Sequence, residues 1–453
     1  MIEFFQTYKN LLLQALLSIS LTLLLVFLKI PIFFLHGLFT YIHPDNLSNG
    51  VKAAIRRPES SDSGSGIPPK NNTELRKRTK SKEKFEFDEN NAQIFRLKLD
   101  EAHLKSRLFS DEFRNAFTIS FVAISCFLLH IYLSSASEKS GVFTNGILVP
   151  VLLGSVGVFK LMILLANLSF EKSASRRSEK LLCVVFGILG LILGSVTCCT
   201  FTSSVLDFDF GSIDGFGRVF IAVFMSCTTT ILFMPAMKSA RSFWLGTDQI
   251  RSNLSMITCE WFGRFVLYAN YLLMTFTGLL WIKPLSELLV NKNTKGSIRN
   301  SERLAGNVGF SPSEFDKLRI WLLVLSGVLQ LVALRPNLQM YLNEALLSWY
   351  QRLHASKVPD LDYSRAKVFL HNHYLCLVVI QFFAPPMLIL LFVGFSQADG
   401  DYFDNYQFMC SLLPCSAFVK EVGLFMAWWV VFVSSVYTSA TIALFRRGNL
   451  YLS

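Results

Sequence analysis

Residues 374–393 read YLCLVVIQFFAPPMLILLFV, twenty positions without one charged side chain. The hydrocarbon core of a bilayer is about 30 Å thick and takes a helix of roughly 20 apolar residues. Inside lipid the backbone must satisfy its own hydrogen bonds, so such a run is read as a transmembrane helix. Eight further stretches share its character: Leu11–Phe27, Ala116–Leu133, Ile147–Leu168, Leu181–Thr202, Val219–Met237, Phe265–Ile282, Ile320–Leu334 and Gly423–Phe445. The expected fold class is therefore all-α, a polytopic helical membrane protein of about nine transmembrane helices, with eight to ten as the range. The first stretch reads as a retained span, because it is long, lacks a small-x-small cleavage pattern and precedes a strongly basic loop.

Composition agrees. Hydrophobic residues make up 52% of the 453 positions and charged residues 17%, below the roughly 25% of soluble domains. The chain divides into a first transmembrane segment (1–40), a cytosolic loop (41–115) and a helical membrane domain (116–453). Within the loop, the Ser/Gly/Pro-rich stretch at 58–66 is expected to be disordered. The run Arg76, Lys77, Arg78, Lys80, Lys82 and Lys84 follows it. Such a cluster beside a membrane is suited to anionic lipid headgroups, or else simply fixes orientation.

The net charge is +11, and its distribution orients the chain. Of 43 Lys and Arg, 29 fall in alternate connections beginning with the first loop, and ten in the intervening ones. Cytoplasmic loops accumulate cations, so the first loop and the tail with Arg446 and Arg447 are expected on the cytosolic side. The connection after Ile282 breaks the pattern with seven cations. Between residues 338 and 353, Leu338, Leu342, Ala345, Leu346, Trp349 and Leu353 recur at helical spacing, which predicts an amphipathic helix along the cytosolic face.

Lys160 is the sharpest chemical candidate. It lies well inside a span, where a lone ammonium costs about 2.5–3.5 kcal/mol, so it should face the bundle interior, a hydrated cavity or a counter-ion, or else snorkel. Asn270, Gln330, Gln381 and the Ser226-Cys227-Thr228-Thr229-Thr230 run supply further polar groups at span depth. Lys160, Asn270 and Gln381 form a candidate intramembrane polar path; interhelical hydrogen bonding is the competing reading. Glu260 and Arg264, one turn apart, read as an interfacial pair, with Lys283, Arg319 and Arg335 as further interfacial residues. Cys410 and Cys415 lie on the outer side in this topology and form a candidate disulfide. The Gly190-x-x-x-Gly194 face serves close helix packing, Pro385-Pro386 should kink its span, and Ser313-x-x-Asp316 resembles a capping box. His371-x-His373 has no completing ligands, and no nucleotide, zinc-protease or serine-hydrolase motif is present. No catalytic residue, cofactor, metal or nucleic-acid partner is expected; the partners are the bilayer and another membrane protein.

Several segments carry a resemblance. They are residues 231–247 (ILFMPAMKSARSFWLGT), Leu280-Trp281-Ile282-Lys283-Pro284, and Phe315-Asp316-Lys317-Leu318-Arg319-Ile320-Trp321. Leu334-Arg335 through Asn343, Tyr374-Leu375-Cys376 through Pro385, Trp428-Trp429, and Lys29-Ile30 with Tyr41-Ile42-His43-Pro44 add to it. Together they resemble the transmembrane protein 161 family over most of 20–50 and 230–453. The basic part of the first loop has no clear counterpart. The resemblance implies a eukaryotic multi-pass membrane protein without established catalysis, whose animal members are associated with ion-current regulation and stress survival. It brings no defined binding site. Two functions follow as expectations: a non-enzymatic regulator or scaffold of ion transport in a plasma or internal membrane, and, as the alternative, an ion channel or transporter.

Overall fold

The computed structural model describes residues 8–43, 93–134, 146–171, 177–197, 205–208, 215–247, 259–290, 310–354, 361–398 and 417–450. The basic run at 76–84, Cys410 and Cys415 lie outside them. The first helices are α1 (Lys9–Phe27) and α2 (Ile30–Leu35), followed by strands β1 (Phe39–Ile42) and β2 (Phe95–Lys98). Next come α3 (Glu101–Lys105), α4 (Ser110–Ser134), α5 (Leu148–Ser169), α6 (Arg177–Val196), α7 (Gly215–Thr247) and α8 (Trp261–Leu279). The chain continues through α9 (Lys283–Leu289), α10 (Pro312–Val332), α11 (Leu334–Leu353), α12 (Asp362–His373), α13 (Leu375–Ser396) and α14 (Ala417–Arg446).

Seven of these helices are long and apolar enough to span a membrane: α1, α4, α5, α6, α7, α13 and α14. α10 and α11 pass only together, as a pair bent by 41° at Ala333, which raises the number to eight. The count of nine is thus not reached. The shortfall is α8, whose Arg264, Asn270 and tyrosines lower its apolarity, although it packs between α10 and α14.

Almost every residue of α13 is buried, so the most hydrophobic run of the chain is the axis of the bundle. α1 and α6 are peripheral and expose most of their leucines and isoleucines, as lipid-facing helices do. α1 is tied in by Gln14, fully buried, whose Nε2 donates to the Cys126 carbonyl at 3.1 Å. α6 meets α7 through its glycines. A Cβ at Gly190 would lie 2.8 Å from the Thr229 side chain, and one at Gly194 only 3.1 Å from Ala222 Cα. Ser226 donates across the same contact to the Gly187 carbonyl at 2.7 Å. The small-residue face is used for packing.

α10 begins two residues before the expected cap. Ser311, not Ser313, is the N-cap, and Glu314 completes the box from the third position. Pro312 explains the shift, since its fixed φ and missing N–H suit the first helical position. α13 runs on as one helix through Pro385 and Pro386. α11 departs from its expected role: residues on more than one face, Asn337, Met340, Asn343 and Ser348 among them, are buried along with the apolar stripe. It is an internal strut, packed against α7, α12 and β1.

At the cation-rich end, β1 and β2 form an antiparallel hairpin pairing Phe39 with Lys98 and Ile42 with Phe95. α11, α12 and the last turns of α7 complete this cap, which α7 reaches because 33 residues extend about 50 Å, beyond the hydrocarbon core. The opposite end is drawn together by Phe208, stacked on Trp281 at 4.5 Å and set edge-on to Phe425.

Candidate functional site

Where α13 passes under the cap, Gln381 meets Asn270 of α8, Gln330 of α10 and Asn337 of α11 around a cavity of about 40 Å³. Pro235 and Ser239 of α7, Pro385 of α13, and Ser434 and Thr438 of α14 share its lining. Gln381 is six residues into its helix, about 9 Å from the cation-rich end. The prolines sharpen its polarity. Pro385 and Pro386 withdraw the helical donors that would meet the carbonyls of Gln381 and Phe382, and Pro235 does so for Ile231. Gln381 is 1% exposed, yet neither its Oε1 nor its Nε2 has a hydrogen-bond partner among the described residues. The Oδ1 atoms of Asn270 and Asn337 are in the same condition, whereas Gln330 donates to Ser326 at 3.3 Å. About 10–15 Å³ is enough to hold one water. This chamber is sized and lined for a few waters, and its walls come from six helices.

Two of the three residues of the expected polar path, Asn270 and Gln381, are therefore neighbours. The third is elsewhere. Lys160 is on the outer surface of α5, beside the exposed Leu152, Val156, Phe159 and Ile163. It faces neither the bundle interior nor the cavity, because α5 buries its opposite, glycine-bearing side against α4 and α13. The threonine run does not line the path either. Thr228, Thr229 and Thr230 bond to carbonyls of their own helix, one turn back.

The interfacial candidates separate into two groups. Glu260 and Arg335 share an open cleft at the cation-rich end. Arg264 follows Glu260 one turn into α8, its backbone N–H bonded to the Glu260 carbonyl at 3.0 Å. Lys283 starts α9 at the opposite end. Arg319, expected as an interfacial residue, is only 2% exposed. Its Nη1 lies 2.8 Å from Asp207 and 3.4 Å from Asp316, and its Nη2 donates to the Leu280 carbonyl at 3.1 Å. The guanidinium also covers the rings of Trp281 and Phe315. It fastens α10 to the connection before α7 and to the end of α8.

A polar cluster in the cap escaped the sequence reading. Lys367 of α12 is 3.9 Å from Glu344 of α11. Tyr341 stacks on His371 at 4.6 Å, and the Lys238 ammonium lies over the Tyr341 ring at 5.9 Å from its centre. Burial lowers the His371 pKa to about 4, with Glu344 opposing and Lys367 assisting. Across the cluster, Arg241 reaches Glu179 at 3.5 Å. These residues come from four helices, α6, α7, α11 and α12, and local spacing connects them only within a helix, as in Tyr341 and Glu344 or Lys367 and His371. Pro235 and Asn337, inside apolar or apparently amphipathic runs, were the available signals for the cavity.

Residues 213–411 match the model of a family described as predicted transmembrane protein 161AB. The matched segment contains every lining residue of the small cavity that is named above except Ser434 and Thr438. No solved structure matches the chain.

Proposed function

We propose that this chain, of the transmembrane protein 161 family by the match over residues 213–411, is a non-enzymatic regulator or scaffold of ion transport that packs against another membrane protein. The observation that carries this reading is the position of Lys160. It stands about 18 Å from the start of α5 and about 14 Å from its end, on the face turned away from the bundle. A cation at that depth is costly in lipid. A partner helix presenting a carboxylate there would offset the cost.

The cavity around Gln381 supports the same reading over that of a channel. A chamber of about 40 Å³ takes a few waters and not a hydrated ion. The family resemblance supplies the setting, membrane excitability or survival under stress.

The test has two arms. Purified protein in liposomes is expected to pass no sodium, potassium, calcium or chloride. In cells, expression is expected to alter a membrane current, and Lys160→Leu to abolish that effect at equal membrane abundance. Flux in liposomes that Gln381→Leu removes would establish the channel reading instead. A Lys160→Leu chain that acts like the unsubstituted one would sink the partner-helix reading.

A further inference from the structure

The cleft holding Glu260 and Arg335 has a volume of about 610 Å³. That lies within the usual range of small-molecule sites. Its inner wall is apolar: Leu331 and Val332 of α10 face Phe262 of α8, with Val328 one turn deeper. Phe262, Val328 and Val332 are also exposed to the outside of the bundle, so the cleft opens sideways toward lipid. Its mouth is polar. The α10–α11 bend places Arg335 there, and β2 places Arg96 there.

Both guanidiniums are held and yet available. Arg335 spends one donor on the His36 carbonyl at 3.1 Å. Arg96 lies over the Phe39 ring at 3.7 Å, which leaves its N–H edge unblocked. Among the described residues neither has a carboxylate within ion-pair distance. Among the described lining residues Glu260 is the one carboxylate, so the mouth they form carries two cations against one anion. The neighbouring Trp261 is exposed at the start of α8, as aromatic residues are at a membrane–water interface.

We propose that this cleft is a binding site for an anionic glycerophospholipid of the surrounding leaflet. One acyl chain lies between Phe262 and the Val328–Val332 turn, and the headgroup phosphate meets Arg96 and Arg335. With Glu260 beside the two guanidiniums the mouth keeps an excess of positive charge, which suits a lipid of net negative charge such as a phosphatidylserine. The site as argued uses no residue of the basic run at 76–84, and it goes beyond the regulator reading without depending on it.

The full chain, purified in detergent, would be titrated with dioleoylphosphatidylserine and dioleoylphosphatidylcholine, with bound lipid read by native mass spectrometry. Phosphatidylserine is expected to bind as a discrete adduct and phosphatidylcholine much more weakly. Removal of one cation near a membrane surface is worth a factor of about five, so R96Q/R335Q should weaken the serine lipid about 25-fold. Val332→Trp, which fills the cleft without changing charge, should lower occupancy as well, and Glu260→Gln should tighten binding. Neutralising the six cations at 76–84 should leave the adduct in place. Equal binding of the two lipids, or an undiminished adduct in R96Q/R335Q, would overturn the proposal. So would equal competition by glycerophosphoserine, which has no chains. Should R96Q/R335Q fail to fold, Glu260→Gln decides alone: unchanged or weaker binding rejects the site.

Discussion

The side-chain amide of Gln339 pairs with the backbone of Phe39 at both of its groups, accepting from the N–H at 2.9 Å and donating to the carbonyl at 3.1 Å. One glutamine thereby takes the place of a third strand on the open edge of β1. Gln339→Ala leaves two backbone groups in search of partners, at about 1–3 kcal/mol. The expected result is a lower thermal midpoint in detergent and earlier proteolysis near residues 39–42, with the core helices still protected. A variant as stable as the parent would refute the strand-like role.

Arg319 is the corresponding fastening at the other end. Arg319→Lys keeps the charge but loses the planar fork that serves Asp207 and the Leu280 carbonyl together. Because Asp207 is about half exposed, the loss should be on the order of 2 kcal/mol, less than for a fully buried pair. Unfolding of the purified protein would measure it, and Arg319→Met should cost at least as much.

Gln381→Leu should behave in the opposite direction. It removes two buried polar atoms that have no partner among the described residues and replaces them with a side chain of similar volume. A gain of about 1 kcal/mol is expected. Denaturation showing a clear loss would mean that water in the cavity holds the helices together through this amide.

His371 gives the cap a pH dependence. Its pKa is about 4 in the folded protein against an ordinary 6.5, so between those values the unfolded chain binds more protons. Stability should therefore fall as pH drops from about 6.5 toward 4 and level off below, by on the order of 1–3 kcal/mol. His371→Gln should flatten that window. An unaltered slope in this variant would assign the dependence to other groups.

The α6–α7 contact should be intolerant of size. Gly194→Leu would drive a side chain into the Ala222 backbone, which has no rotamer to yield, whereas at Gly190 the obstacle is the Thr229 side chain. Overpacking costs typically about 1–3 kcal/mol, with the larger value expected at Gly194. Cross-linking between cysteines placed on the two helices would report their separation.

Much of the fold was legible because spanning helices announce themselves by length and apolarity, and seven of the expected stretches are such helices. Asn270 and Gln381 were legible as a pair for a related reason: polar groups in lipid-depth runs are driven to one another. The direction of Lys160 was not, since a helix apolar on every side has no stripe to mark its buried face. Nor was the burial of α11, whose polar residues Asn337, Asn343 and Ser348 look solvent-facing until β1 and α12 are packed on them. The hairpin escaped because 52 residues separate the end of β1 at Ile42 from the start of β2 at Phe95. Pairing at that range leaves no local signature.

That hairpin has a practical consequence. Ile42 and Phe95 sit side by side, so the described chain ends that bracket positions 44 to 92 meet at a single gate, latched from within by Asn372, which donates to the Tyr41 carbonyl. A foreign domain spliced between those positions should ride outside the membrane bundle without disturbing its assembly. Any pull exerted on such a passenger would arrive at that latch first, and from there at α12.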